Sequence, residues 1–423
     1  MSEKAISLSF TNPRNPKVTI QLTGSKSECN RALILAALSK GKVKLENFSD
    51  AHDTQILKSC LDKISSQNSA TNPLCIDIGP AGTAMRFLTA YLCLQRGPFF
   101  LTGTARMQQR PIQLLVEALQ TLGAEIKYAG VPGYPPLEIA GNLKQLKTHI
   151  SIPGNISSQY LSALLLIGSQ LPLGLALTIE NEITSKPYLD MTLALLKEVG
   201  VNVQWKQNSL IIPPQDFKEA TLGIEPDWSA ASYWYTILAS IPEGEITLPY
   251  LKENSLQGDN AIVHIMKNFG VKSTFSKQGL TLKKVANPSS SEIQAGHINF
   301  ITCPDIAQSI IVLCAVLKIP HYFSGLETLK IKETNRIEAL QIELRKIGAH
   351  LIETEPGVYY LETKNIHFPD SVRISTYEDH RMAMAFAVLA TQIKEVIFDD
   401  KEVVNKSYPN FWKDLEKIGF IHQ

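Results

Sequence analysis

One compound pattern recurs six times along this chain and limits what it can fold into more than any other feature. Each copy opens with polar residues, continues through about a dozen apolar residues at helical spacing, breaks, and enters a β-rich run. The copies begin at Gly24 (GSKSECNRALILAALSKGKVKLEN), Gly82, Ser157, Asp227, Asp305 (DIAQSIIVLCAVLKIPHYFSGLETL) and Tyr377, 58 to 78 residues apart. A second, amphipathic helix follows each, over residues 54–64, 112–122, 189–199, 260–269, 336–347 and 411–418. Four of these pass through a glycine suited to a C-cap into a strand, in LGAEIKY, VGVNVQW, FGVKSTF and IGAHLIE. The first helices, such as ALILAAL and SIIVLCAVL, are apolar almost all round and belong in the interior. The second, such as IEALQIELRKIG, carry a charged face and belong at the surface.

Units this small cannot close a core alone, so they must stack. Six divide into three plus three, and the division falls near residues 223–226, after LIIPP and the charged link QDFKEATLGIEP. An α/β (α+β) protein of two similar domains follows, with residues 5–20 as a leading segment able to pair with either body. The 423 residues, 44% hydrophobic and 19% charged, suffice for a large core and exclude intrinsic disorder. Lys and Arg total 41 against 40 for Asp and Glu, a net charge of +1, which excludes a general pull toward nucleic acid or anionic membrane. MSEKAISLSF has no basic stretch followed by an apolar run, and the most apolar segment, residues 161–179, is interrupted by Ser, Gly, Gln and Pro. A soluble, cytoplasmic protein is expected. The six cysteines form no C-x-x-C and read as reduced and mostly buried.

Polar residues collect where the first helices start, and there unpaired N–H groups and the helix dipole already favour anions. Lys26, Ser27, Arg31, Thr83, Arg86, Ser157, Ser158, Gln159 and Arg381 all lie at such starts. Arg106 and Arg110 in GTARMQQRP, Ser185 and Lys186 in TSKPY, Lys332 and Arg336 in KIKETNR, and Lys406 in NKSYP sit on loops leaving the units. Singly, each run has a bland explanation: GSKS is a helix cap without the spacing of a nucleotide P-loop, and KETNR is a solvated charged face. Repetition at equivalent positions favours a binder of small, multiply anionic ligands. Asp227 reads as a helix N-cap, whereas Asp305 and Glu333 fall among cations that keep them ionised. His380 in EDHR suits packing or the orientation of Arg381. The remaining histidines lack ligand spacing, so no metal site is expected.

GSKSECNR, GPAGTAMR, GTARMQQRP, NISSQYLSALL, TSKPYLDMTL, PDWSAASY, CPDIAQS, IKETNRIEAL, EDHRMAMAF and NKSYPNFW occur in an order and spacing that resembles the 5-enolpyruvylshikimate-3-phosphate synthases. The resemblance covers essentially the whole chain. It implies the enolpyruvyl transferase fold: two domains of three βαβαββ-type repeats, with the active site in the cleft between them, residues 22–223 forming one domain and residues 1–21 plus 224–423 the other. Ligands would close these domains about links near Gln21 and Gly223. The implied reaction transfers the enolpyruvyl group of phosphoenolpyruvate to the 5-hydroxyl of shikimate 3-phosphate, in the shikimate pathway. No cofactor is implied, and a monomer without nucleic-acid or membrane partners is expected.

By motif, the resemblance assigns shikimate 3-phosphate to Lys26, Ser27, Arg31, Ser157, Ser158, Gln159, Ser185, Tyr188, Asp305, Thr328 and Lys332. It assigns phosphoenolpyruvate to Lys26, Gly82, Arg106, Gln159, Arg336, Arg381 and Lys406. Asp305 is then the base at the 5-hydroxyl, and Glu333 with Lys26 serves proton transfer at C3. The chain departs from the family pattern at Pro80 and Thr328, where Asn is common, at Phe87, where Pro is common, and at Asn335, where Asp is frequent. Gly82 is kept, and room beside it implies sensitivity to glyphosate. The related transferase acting on UDP-N-acetylglucosamine is a rival, but its mobile loop typically bears a reactive Cys that GTARMQQRP lacks. A non-catalytic binder of the same fold would be expected to lose Asp305 or Glu333, and both are present.

Overall fold

The computed structural model describes residues 4–66, 72–155, 157–285 and 296–423. The chain divides into two compact units, Met1–Thr23 with Glu225–Gln423, and Gly24–Ile224. Within the second, the helices Lys26–Leu38, Gly82–Leu94 and Ser158–Gly168 pack on one another and are buried on nearly every face. In the first unit Trp228–Ser240, Ala307–Val316 and His380–Phe386 do the same, around Trp228, Trp234, Ile310 and Phe386. These are the six apolar helices of the repeat, and with no polar stripe they are stable only in such an interior.

The second helices bury one stripe. In Gln113–Leu122, Leu115, Val116, Ala118, Leu119 and Leu122 are buried while Gln113, Glu117 and Gln120 are exposed. Their termination follows the sequence reading: Gly123, Gly200, Gly270 and Gly348 all adopt the left-handed backbone, φ +112°, +82°, +73° and +73°. One helix departs from it. Residues 260–269 form one α-turn, Ile262–Ile265, flanked by the 3-10 turns Gly258–Ala261 and Met266–Phe269. Three β-branched residues, Ile262, Val263 and Ile265, crowd this turn and weaken a longer helix.

Five of the repeats share one sheet design. A strand pairs in parallel with the strand after the first helix, which pairs antiparallel with the last strand of the repeat, which closes a hairpin-like pair with the third. His149–Pro153, Leu175–Glu180, Ser209–Ile212 and Gln204–Lys206 stand in that order, as do His297–Asn299, His321–Ser324, Val358–Glu362 and His350–Glu355. The first repeat has only two strands among the described residues, Val43–Glu46 parallel to Ala220–Gly223. The leading segment serves two sheets of its own unit. Ile6–Phe10 is the inner antiparallel strand of the last, between Glu395–Phe398 and Phe420–His422, and Lys17–Thr19 lies parallel to Glu245–Pro249. Strand Lys17–Thr19 and its helix Trp228–Ser240 are thus separated in sequence by the whole of the other unit.

Candidate active site

In the unit containing the C-terminus, three helix starts from two repeats bring charges together. Asp305 lies in the 3-10 turn Pro304–Ile306 that leads into Ala307–Val316. Arg336 opens Arg336–Arg345, whose N-cap is Asn335, with Oδ1 accepting from Glu338 N at 3.4 Å. Asn in place of Asp is an equally good cap, so this departure from the family pattern costs the helix nothing. Arg381 follows Asp379, the N-cap of His380–Phe386.

These residues form one network. Asp305 Oδ1 lies 3.4 Å from Lys332 Nζ and 3.3 Å from Arg336 Nη1, and Asp305 Oδ2 lies 3.1 Å from Arg381 Nη2. Glu333 lies 2.9 Å from Arg336 Nη2 and 3.3 Å from Lys406 Nζ. The buried Asp379 holds the Arg336 fork by both oxygens, at 2.7 and 3.2 Å, and accepts from the Arg381 backbone N–H at 2.9 Å. Such a bidentate seat fixes the guanidinium plane as well as its charge. Arg381 is steadied further by Ser229 Oγ at 3.2 Å and by Tyr233 OH at 3.5 Å. Burial alone would raise the Asp305 carboxyl, but Arg381, Lys332 and Arg336 hold it well below the usual carboxylate range. Burial is likewise overridden at Arg336, whose guanidinium is pushed up by Asp379, Glu333 and Asp305. Four cations thus face three carboxylates, and the site carries an electrostatic excess for an anion.

Thr328, in the 3-10 turn Glu327–Ile331, has a buried hydroxyl with no hydrogen-bond partner among the described residues. His380 is buried with Nδ1 3.6 Å from Asp379 Oδ1. Asp379 was the residue that sequence reasoning missed here. Its signal was present, as an Asp heading an apolar helix in EDHR, but its partner Arg336 lies 43 residues away. Asp227 is the N-cap it was expected to be, accepting from Ala230 N at 3.1 Å.

In the other unit, Ser25 caps Lys26–Leu38 by accepting from Glu28 N, and Lys26 Nζ reaches Asp53 Oδ2 at 3.2 Å. Arg31 is buried: Nε donates to Thr192 Oγ1 at 2.7 Å, Nη1 to Ser27 O at 2.7 Å and Nη2 to Ser162 Oγ at 3.1 Å. Its guanidinium lies between Phe87 and Tyr188, 5.4 and 5.8 Å from the ring centroids, so Phe87 in the family's Pro position becomes a platform for Arg31. Burial lowers this guanidinium to about 10, which still leaves it charged at neutral pH. Ser157 caps Ser158–Gly168 through Gln159 N at 3.3 Å, and Gln159 Nε2 donates to Thr83 Oγ1 at 3.3 Å. Ser185, before Lys186–Glu198, is held at φ +56°, a left-handed conformation that a serine adopts only under constraint. Arg106 is exposed, with Nη1 3.3 Å from Gln109 Oε1. The space expected beside Gly82 is filled: the Arg110 guanidinium lies where a side chain would stand.

The chain matches known proteins along nearly its whole length. Residues 11–415 match the model of the EPSP synthase (3-phosphoshikimate 1-carboxyvinyltransferase) family. A 3-phosphoshikimate 1-carboxyvinyltransferase of Bacteroides fragilis is 44% identical over 409 residues, covering 96% of this chain and 97% of the relative. The chain belongs to the EPSP synthase family. A relative from Vibrio campbellii with the same name is 34% identical over 422 residues, covering 95% of this chain and 96% of its own. The fold is that of an EPSP synthase from Acinetobacter baumannii, with TM-score 0.75, 19% identity and coverage of 99% and 100% of the two chains. It is also that of the enolpyruvyl transferase NikO from Streptomyces tendae, with TM-score 0.71, 12% identity and 99% coverage of both chains. Among the described residues no helix is long and apolar enough to cross a membrane.

Proposed function

We propose that this chain transfers the enolpyruvyl group of phosphoenolpyruvate to the 5-hydroxyl of shikimate 3-phosphate, releasing phosphate. The observation that carries the reading is the Asp305–Lys332–Arg336–Arg381 cluster, with Glu333 held between Arg336 and Lys406. It supplies a base, an acid and an excess of cations, which addition to an anionic enol phosphate requires together.

Attack of the 5-hydroxyl on C2 needs a proton removed at oxygen and one added at C3, giving a tetrahedral ketal. Loss of a proton from C3 then expels phosphate. Asp305 takes the hydroxyl proton, while Glu333 and Lys26 serve C3. Lys26, Ser27, Arg31, Ser157, Ser158, Gln159, Ser185, Tyr188, Thr328 and Lys332 hold the acceptor, and Gly82, Arg106, Gln159, Arg336, Arg381 and Lys406 hold phosphoenolpyruvate. In the free protein Asp305 is a weak base, because three cations stabilise its charge. An anionic ligand drawing on Lys332, Arg336 and Arg381 shares those cations and returns basicity to Asp305, so the ligand itself activates the base.

Phosphate release from phosphoenolpyruvate, followed with shikimate 3-phosphate and in parallel with UDP-N-acetylglucosamine, tests the assignment. Release is expected with shikimate 3-phosphate; release with the nucleotide sugar alone would refute it.

A further inference from the structure

Among the described residues, Tyr377 and Glu378 are the one adjacent pair of non-glycine residues in the left-handed backbone region, with φ +54° at each. The Asp379 N–H donates to Thr376 O at 2.9 Å and closes residues 376–379 into a tight turn. Positive φ at both central positions is the pattern of a type I′ turn, which glycine, asparagine and aspartate ordinarily fill. Tyrosine and glutamate are strained there, because the Cβ of each crowds the carbonyl that follows. Such a pair stays in place only where its surroundings hold it.

The restraint comes from one buried carboxylate. Glu343 is fully buried; its Oε1 accepts from the Tyr377 hydroxyl at 2.8 Å, and its Oε2 accepts from Ser375 N at 3.2 Å. Lys346 Nζ, 2.6 Å from Oε2, balances the charge. Burial, with the hydrogen bond and charge of Glu343, pushes the Tyr377 hydroxyl up, so it remains a donor at neutral pH. Where the chain enters the turn, Thr376 N donates to Asp399 Oδ1 at 2.9 Å.

Glu343 and Arg336 belong to the same helix, Arg336–Arg345, seven residues and so two turns apart on one face. The strained turn runs along that face. Tyr377 meets Glu343, and Asp379, two residues on, meets Arg336 by both oxygens and caps the helix that carries Arg381. A bidentate seat tolerates little displacement of its carboxylate. Glu343 thus fixes, without bonding to either arginine, the segment on which both depend.

We infer that Glu343 is a positioning residue for the anion site: it clamps the strained Tyr377–Glu378 turn and so sets Asp379, Arg336 and Arg381. The inference rests on the proposed reaction for the ligand of these arginines, phosphoenolpyruvate.

Steady-state kinetics test it. Tyr377→Phe removes one hydroxyl and raises the KM for phosphoenolpyruvate by about 3- to 20-fold, part of what a hydrogen bond to a charged group supplies, with a smaller change for shikimate 3-phosphate. Glu343→Ala removes the whole clamp and raises the same KM further; if that variant does not fold, Tyr377→Phe alone decides. Asparagine tolerates the left-handed region, so Glu378→Asn leaves the KM within about twofold of wild type and, in the Tyr377→Phe background, restores most of the loss. A clamp that served stability alone would lower the melting temperature of Tyr377→Phe and leave the KM unmoved. A phosphoenolpyruvate KM within about twofold of wild type in Tyr377→Phe, an equal rise for both substrates, or no recovery with Glu378→Asn overturns the inference. If the wild-type chain turns over neither acceptor, the reaction proposed above fails, and the role of Glu343 is read from calorimetric binding of inorganic phosphate. Weaker binding by Tyr377→Phe than by wild type, recovered by Glu378→Asn, then supports the assignment, and equal binding or no recovery overturns it.

Discussion

At the residue scale the chemistry depends on charges held in place by buried carboxylates. Asp305→Ala removes the proposed base but leaves the other residues proposed to hold the acceptor, so turnover should fall by about 10²- to 10⁴-fold while shikimate 3-phosphate still binds. Near-normal turnover in a steady-state assay would remove Asp305 from the mechanism. Asp259 makes a different prediction. Its Oδ2 accepts a short hydrogen bond from Ser229, the same hydroxyl that meets Arg381, while Oδ1 is buried and has no partner among the described residues. Burial, then the charge of Asp305 and more weakly that of Asp227, pushes this carboxyl from 3.8 up to about 7, against Arg381 and the Ser229 hydrogen bond. The folded chain therefore holds a proton that the unfolded chain has lost, so this group's contribution to stability falls as pH rises from roughly 4 to 7. Asp259→Asn mimics the protonated form. Its melting temperature relative to wild type should be higher at pH 8 than at pH 5, and an equal difference at both would contradict the assignment. Asp305 titrates far below this window and does not confuse it.

At the element scale the helix ends are the sensitive points. Gly123 ends Gln113–Leu122 at φ +112°, and a Cβ there would press on Lys144 O and lie 3.0 Å from Leu146 Cγ. Gly123→Ala should destabilise the chain by about 1 kcal/mol or more, measured by urea unfolding, because the left-handed strain and the clash outweigh the entropy that alanine removes from the unfolded chain. Helix content, C-cap glycines and the inside-outside division of first and second helices were legible in the sequence, since each is local and periodic. The turn at residues 258–269 was not, because apolar spacing signals a helix even where β-branched residues shorten it. The cations were legible for the same reason, as helix-start residues. Their partners were not: Asp53 and Asp379 are 27 and 43 residues from Lys26 and Arg336, and Asp259, linked to Arg381 through Ser229, is 30 residues from that serine, distances that only the fold closes. Arg110 was visible as a loop cation, but nothing in GTARMQQRP says that its side chain lies on Gly82.

At the scale of the whole molecule, the unit Gly24–Ile224 is an insertion whose ends meet. Asn47 Nδ2 donates to Ile224 O at 2.6 Å, strand Ala220–Gly223 lies parallel to Val43–Glu46, and a Cβ on Gly24 would touch Ile224 Cγ2 at 3.2 Å. Residues 24–224 expressed alone should unfold in one cooperative transition, followed by circular dichroism; a broad, non-cooperative loss of helix would contradict this independence. The near-zero net charge of the chain also takes on meaning at this scale. Cations gather at helix starts and in one carboxylate-lined network, and the rest of the surface balances them.

The central claim is that these residues perform addition and elimination at C2 and C3 of an enol phosphate. The most direct measurement is the reaction of shikimate 3-phosphate with phosphoenolpyruvate in D₂O, with the product read by NMR and mass spectrometry. Protonation at C3 creates a methyl group from which elimination removes one of three hydrogens, so deuterium should appear in the vinyl methylene of the product. Phosphate release with no deuterium in the recovered enol product would contradict the account.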